Sequence, residues 1–198
     1  SVAHSRKSKM AALLSTAPRR LAGKRIVMFV DFQFEDMEVM FPKMRLEEEG
    51  ATVIVAGSHP AGMKYTGKHG YPIKSDARAA EVDFTSVDAI VIPGGFAPDY
   101  MRRDKAMLAA VSAFAAEGRR PVAAVCHGAW LFCSARDATG KPVIAGKNCT
   151  SFFAIKDDLI NAGATWIDQA VVVDGNFITS RMPTDLVPFC HAIIAALA

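Results

Sequence analysis

The stretch PVAAVCHGAW (residues 121–130) decides the architecture. An uninterrupted apolar run ends on Cys126, and His127, Gly128 and an amphipathic segment follow. A continuous run of four or five apolar residues fits a strand buried on both faces, as in a parallel sheet. The glycine and the amphipathic segment after it predict a sharp turn into a helix. A cysteine at such an elbow stands at the exposed end of a strand, where a nucleophile would be placed. Structural cysteines are more often buried inside an element. A helix N-terminus behind the sulfur would lower the thiol pKa, because its free N–H groups favour the anion.

Working outward, the same alternation recurs. Arg25–Val30, Thr52–Ala56, Ala89–Ile92 and Val122–Val125 read as strands. Glu35–Gly50, Asp104–Glu117, His127–Ala135, Ile155–Ala162 and Thr184–Leu197 read as helices. Residues 62–75 read as a hairpin or irregular strands. Asp174-Gly175 marks a turn between two short strands, 171–173 and 177–179. Strands alternating with helices predict an α/β fold with a mostly parallel sheet covered on both faces. No internal repeat is present. Ligands in such sheets bind beyond the carboxyl ends of the strands. The loops Asp31–Asp36, Pro93–Asp99 and Cys126–Gly128 should therefore converge.

Composition narrows the function. The 198 residues suffice for one sizeable core, and the net charge is +3. Residues 1–24 carry Arg6, Lys7, Lys9, Arg19, Arg20 and Lys24 and no acid. They read as a basic extension ahead of a single domain, 25–198. The positive charge belongs to that segment and the remainder is mildly acidic, which argues against a nucleic-acid partner. No apolar run approaches the ~20 residues of a membrane span. The four cysteines, Cys126, Cys133, Cys149 and Cys190, form no CxxC pair, so neither a disulfide framework nor a metal site is expected. A cytoplasmic protein fits, with organelle import through the basic extension as the other reading. Within that extension, residues 10–17 (MAALLSTA) are expected to form a docked helix. The Asn148-Cys149-Thr150 sequon has no meaning in a reducing compartment.

Around the elbow, Glu35 in FEDME is the candidate carboxylate partner of Cys126; beside a thiolate its own pKa would rise. Glu35, Asp36 and Glu38 could also simply complement a helix N-terminus. His127 can serve a triad only if the turn bends it back, since adjacent residues point apart; its backbone N–H is the other use. Gly94 and Gly95 can bring backbone N–H groups to an oxyanion, or merely form a tight turn. His59, His69 and His191 have no acidic or cysteine neighbours that make a motif and read as structural or surface.

FEDMEV (34–39), TGKHGY (66–71), VIPGGFAPDYMR (91–102), VCHGAW (125–130), IKDDLINAGATW (155–166), VVVDGN (171–176) and TSRMPTDL (179–186) occur in the order found in the ThiJ/PfpI superfamily. Residues 25–197 resemble its intracellular cysteine proteases and their glyoxalase-like relatives. The resemblance implies a flavodoxin-like three-layer sandwich and a homodimer or hexamer. It makes Cys126 the nucleophile, Glu35 the acid bonded to it and His127 the triad histidine. Asp99 would be the acid that reaches His127 from a neighbouring subunit; the protease type has Glu there. Trp130 and Phe152 would border the substrate, with Phe152 where that type often has Tyr. The implied activity is cofactor-free conversion of small aldehydes or of glycated substrates. The alternatives are a peptidase using the same Cys126 and a non-catalytic sensor of oxidative stress. Glutamine amidotransferases share the elbow but need a His and Glu far downstream. Here His191 stands there without a Glu. Isocyanide hydratases place Asp near the position of Glu35.

Overall fold

The computed structural model describes residues 19–198. Eleven strands and six helices follow in chain order: β1 (Arg25–Val30), α1 (Asp36–Glu48), β2 (Thr52–Gly57), β3 (Lys64–Thr66), β4 (Pro72–Lys74), β5 (Ala77–Arg78), β6 (Ala89–Ile92), α2 (Ala97–Met101), α3 (Lys105–Glu117), β7 (Val122–Val125), α4 (Trp130–Ser134), β8 (Asn148–Cys149), α5 (Lys156–Asn161), β9 (Thr165–Trp166), β10 (Val171–Asp174), β11 (Phe177–Ser180) and α6 (Leu186–Leu197). Seven strands form the central sheet in the order β10, β11, β7, β6, β1, β2, β5. All neighbours are parallel except the β10–β11 hairpin. Helix α1 packs against α6, and α2 and α3 pack against α4, so two groups of helices flank the sheet. This is the α/β, flavodoxin-like arrangement expected from the alternating pattern.

The central strands are apolar because both of their faces are covered. Every residue of β6 and β7 is buried, as is all of β1 after Arg25. From β1 the chain moves to β2 on one side; β6 and β7 then fill the other side. That reversal leaves a crevice at the carboxyl ends of β1 and β6, where the loops after β1, β6 and β7 meet.

Several boundaries differ from the sequence reading. The segment after Cys126 opens with a 3₁₀ turn, Cys126–Ala129, and only Trp130–Ser134 is α-helical. Residues 62–75 resolve into the antiparallel pair β3–β4. Packing also begins before residue 25. Leu21 is fully buried and donates its N–H to the Glu49 carbonyl. Arg20 holds the Glu49 carboxylate at 2.5 Å. The end of the basic segment is thus seated on the C-terminal end of α1. The helix expected over residues 10–17 lies outside the described residues. Among the described residues no helix is long and apolar enough to cross a membrane.

Candidate active site

The three loops converge as the strand pattern requires, and their backbones are knitted together. The Glu35 N–H donates to the Gly94 carbonyl at 3.2 Å and the Phe96 N–H to the Gln33 carbonyl at 2.9 Å. From the elbow's far side, the Phe152 N–H donates to the Cys126 carbonyl at 3.3 Å. Cys126 itself has φ of 60°, a left-handed conformation that strains a residue with a Cβ. A Cβ on Gly128 would run into the Ile92 carbonyl, so the turn can close against β6 only with glycine there.

At the centre of the crevice, the carboxylate that meets the sulfur is Glu38. It is fully buried, and its Oε2 accepts the Gly94 N–H at 2.7 Å. The other oxygen, Oε1, has no hydrogen-bond partner, and the carboxyl as a whole interacts with the Cys126 thiol. Burial, and next the charge of Glu35, push the Glu38 pKa up to about 8, against the pull of the Gly94 N–H. The thiol is also pushed well above its ordinary range, first by burial and then by the Glu38 charge. The backbone N–H groups of His127 and Gly95 aim at the sulfur and work the other way.

These facts correct four expectations. Glu35 is not the thiol's partner. Its Oε2 pairs with Lys68 Nζ at 2.5 Å, and its Oε1 lies 3.7 Å from His69 Nε2. Glu35 is the extended residue that precedes α1, and Glu38 lies in the first turn of the helix, fully buried against the end of the sheet. Gly94 gives its N–H to Glu38, so the pair of N–H groups facing the sulfur belongs to Gly95 and His127. Nor is the thiol pKa lowered: a four-residue 3₁₀ turn supplies little dipole, and desolvation outweighs it. The acids of FEDME do not act together as helix-end charges. Asp36 accepts the backbone N–H groups of His69 and Tyr71 at 2.9 and 2.8 Å, which ties the β3–β4 hairpin to α1.

His127 does bend back. Its Nδ1 lies 3.3 Å from the Cys126 sulfur. Phe152 stacks on the imidazole with centroids 5.2 Å apart and planes at 29°. Trp130 meets it edge-on at 5.1 Å, held by a 3.1 Å bond from its Nε1 to Asp158. Burial, and next the Lys68 charge, lower the His127 pKa, so the ring is neutral at neutral pH. Asp99 sits on α2 away from this cluster and pairs with Arg103 of its own chain at 2.7 Å.

Cys126, Glu35, Glu38, Lys68, His69, Gly95, Phe96, His127, Trp130, Phe152 and Pro183 enclose a cavity of about 380 Å³. Lys68, His69, Phe96 and Pro183 come from motifs whose sequence gave no chemical signal of their own. A buried thiol beside a proton-holding carboxyl, a neutral imidazole and two N–H donors is an arrangement that can add to a carbonyl group.

The DJ-1/PfpI family pattern matches residues 24–196. The chain belongs to the DJ-1/PfpI family. A deglycase of Pyrococcus abyssi is 41% identical over 173 residues, which cover 87% of this chain and 99% of that protein. YraA of Bacillus subtilis, named as a candidate cysteine protease, is 42% identical over 166 residues, 84% of this chain and 94% of its own. The crystal structure of Drosophila melanogaster DJ-1beta superposes with a TM-score of 0.79 at 27% identity, covering 88% of this chain and 90% of that one.

Proposed function

We propose that this chain is a cysteine-dependent enzyme acting on small reactive carbonyls, as a cofactor-free glyoxalase or deglycase. The observation that carries the reading is the contact between Cys126 and the buried, proton-holding Glu38 at the floor of an apolar-walled cavity. The deglycase name of the Pyrococcus abyssi relative supports it.

In this reading the sulfur adds to an aldehyde carbon while its proton passes to the neutral His127 Nδ1. The neutral ring starts as the tautomer with hydrogen on Nε2 and carries both protons after this transfer. The carbonyl oxygen becomes the oxygen of a hemithioacetal, and the Gly95 and His127 N–H groups face the charge it develops. With a 2-oxoaldehyde, the hydrogen on that carbon leaves as a proton and a proton returns to the neighbouring carbon. The electron pair left behind moves with it. The first carbon is thereby oxidised to a thioester and the second reduced to an alcohol. Glu38 and His127 are the groups placed to move this proton. Water then attacks the thioester, the C–S bond breaks, and a 2-hydroxy carboxylate leaves with the thiol restored. A glycated amine or thiol first departs with one proton, which regenerates the aldehyde for the same steps. No external oxidant is needed.

A second reading, peptide hydrolysis through the same Cys126, is favoured by the name of YraA. The test sets purified protein beside Cys126→Ala and supplies methylglyoxal or a panel of peptides. Formation of lactate that Cys126→Ala abolishes supports the first reading. Peptide cleavage without lactate transfers the assignment to the second. Blank results in both, with Cys126 still oxidising readily, point to a sensor.

A further inference from the structure

Glu35 and Lys68 form an ion pair that the packing of the domain does not explain. Glu35 precedes α1 but its side chain caps nothing. It is buried, its partner is exposed, and the two meet at 2.5 Å. Taking the Glu35 carboxylate out of water is a poor way to stabilise a fold, since its desolvation penalty offsets the attraction to Lys68. What the two residues share is the cavity of Cys126: both line it, together with Phe96, Trp130, Phe152 and Pro183. That volume lies within the range of sites for drug-sized ligands and is far larger than a three-carbon dicarbonyl requires.

The pair spends one ammonium hydrogen and one carboxylate oxygen on itself. Lysine has three donors, and a carboxylate has about four lone-pair sites, so polar capacity remains on both. A lone anion approaching Lys68 would be repelled by Glu35 nearly as strongly as Lys68 attracts it. The same cancellation meets a lone cation. A ligand carrying both charges, laid head to tail along the pair, gains at both ends. The α-ammonium and α-carboxylate of a free amino acid have this chemistry.

We infer that the Glu35–Lys68 pair binds the head group of a free amino acid whose side chain carries the carbonyl adduct. The site then prefers glycated amino acids to neutral dicarbonyls and to adducts within a protein chain. The inference rests on the carbonyl-adduct reading given above and names the substrate class for that same cavity. The aromatic and proline walls would flank the modified side chain as it reaches down to Cys126.

The test uses methylglyoxal adducts of the guanidine group in four parents: arginine, Nα-acetylarginine, argininamide and Nα-acetylargininamide. Release of each parent is followed by chromatography and mass spectrometry. The arginine adduct should exceed the doubly blocked one in kcat/KM by about tenfold or more, the scale of an added charge-assisted bond, and KM should carry the difference. Lys68→Met should remove the advantage given by the carboxylate and Glu35→Gln that given by the ammonium, with Lys68→Arg retaining part. Equal treatment of the four adducts by the wild type overturns the inference. So does a parallel loss on all four in each variant, which is the mark of a purely structural pair. If the wild type releases none of them, the catalytic reading fails by itself. The clamp is then read by protection of Cys126 from iodoacetamide: citrulline should protect and Nα-acetylcitrullinamide should not, and equal protection overturns it.

Discussion

The Glu38 carboxyl raises the pKa of the Cys126 thiol, while its own proton is held by burial and the Glu35 charge against the opposing pull of the Gly94 N–H and the thiol. A Glu38 that carries its proton up to about pH 8 can donate it to a sulfur or an oxygen; above that pH it becomes an anion facing the nucleophile. Turnover of methylglyoxal should therefore fall on the alkaline side with a midpoint near pH 8. Glu38→Gln should flatten that limb and lower kcat by roughly 10² or more. A pH–rate profile of the two proteins checks this, and an alkaline limb unchanged in Glu38→Gln would remove Glu38 from the mechanism.

The same carboxyl has a stability consequence with a definite sign. Its folded pKa lies above the ordinary 4.5 of a glutamate. Between about pH 4.5 and 8 the unfolded chain loses this proton while the folded chain keeps it, so folding grows less favourable as pH rises. Glu38→Gln keeps an acceptor for the Gly94 N–H and has no proton to lose. It should melt several degrees above the wild type at pH 8.5 and close to it at pH 4.5. Calorimetry at the two pH values reads the difference, and an equal gain at both would show that burial of the charge is not the cause.

Gly94 is held by contacts rather than by its φ. A Cβ there would stand 2.7 Å from the Cys126 Cβ, 2.7 Å from Glu38 Oε2 and 2.8 Å from the His127 nitrogen. Gly94→Ala should cost about 1–3 kcal/mol, the scale of overpacking, and should lower kcat as well by prising Glu38 from the sulfur. Denaturant midpoints and steady-state kinetics together check it; a stable, fully active Gly94→Ala would mean that the cradle is loose.

Asp99 is exposed and tied to Arg103 within its own chain. A trans role toward His127 requires a second copy to bring it there. The protein should run as a dimer or larger in light scattering at micromolar concentration, and Asp99→Asn should lower kcat without reducing labelling of Cys126. A monomer that turns over at the full rate would leave Asp99 without that role.

The sheet was legible because its central strands are buried on both faces and so read as unbroken apolar runs. The elbow was legible because Val122–Val125 stops at Cys126, with His127 and Gly128 directly after it. The carboxylate was not. Glu35 and Glu38 lie three residues apart at the start of α1, and only the packing of that helix tells which carboxyl reaches the sulfur and which meets Lys68. Lys68 and His69 sit in a Gly-rich hairpin that pattern alone reads as surface; the Asp36 bonds that dock the hairpin on α1 bring them to the cavity. The direction of the thiol shift was missed for an energetic reason. Desolvation depends on how deep the turn sits, which the sequence does not state.

Cys126 holds its left-handed backbone without the freedom of glycine, at a cost on the order of 1–3 kcal/mol. Cys126→Gly should relieve that strain, just as Glu38→Gln relieves the buried charge. A laboratory selection for heat tolerance that ignored turnover would therefore meet its easiest gains inside the crevice. It would dismantle the chemistry first and leave the scaffold sturdier for it.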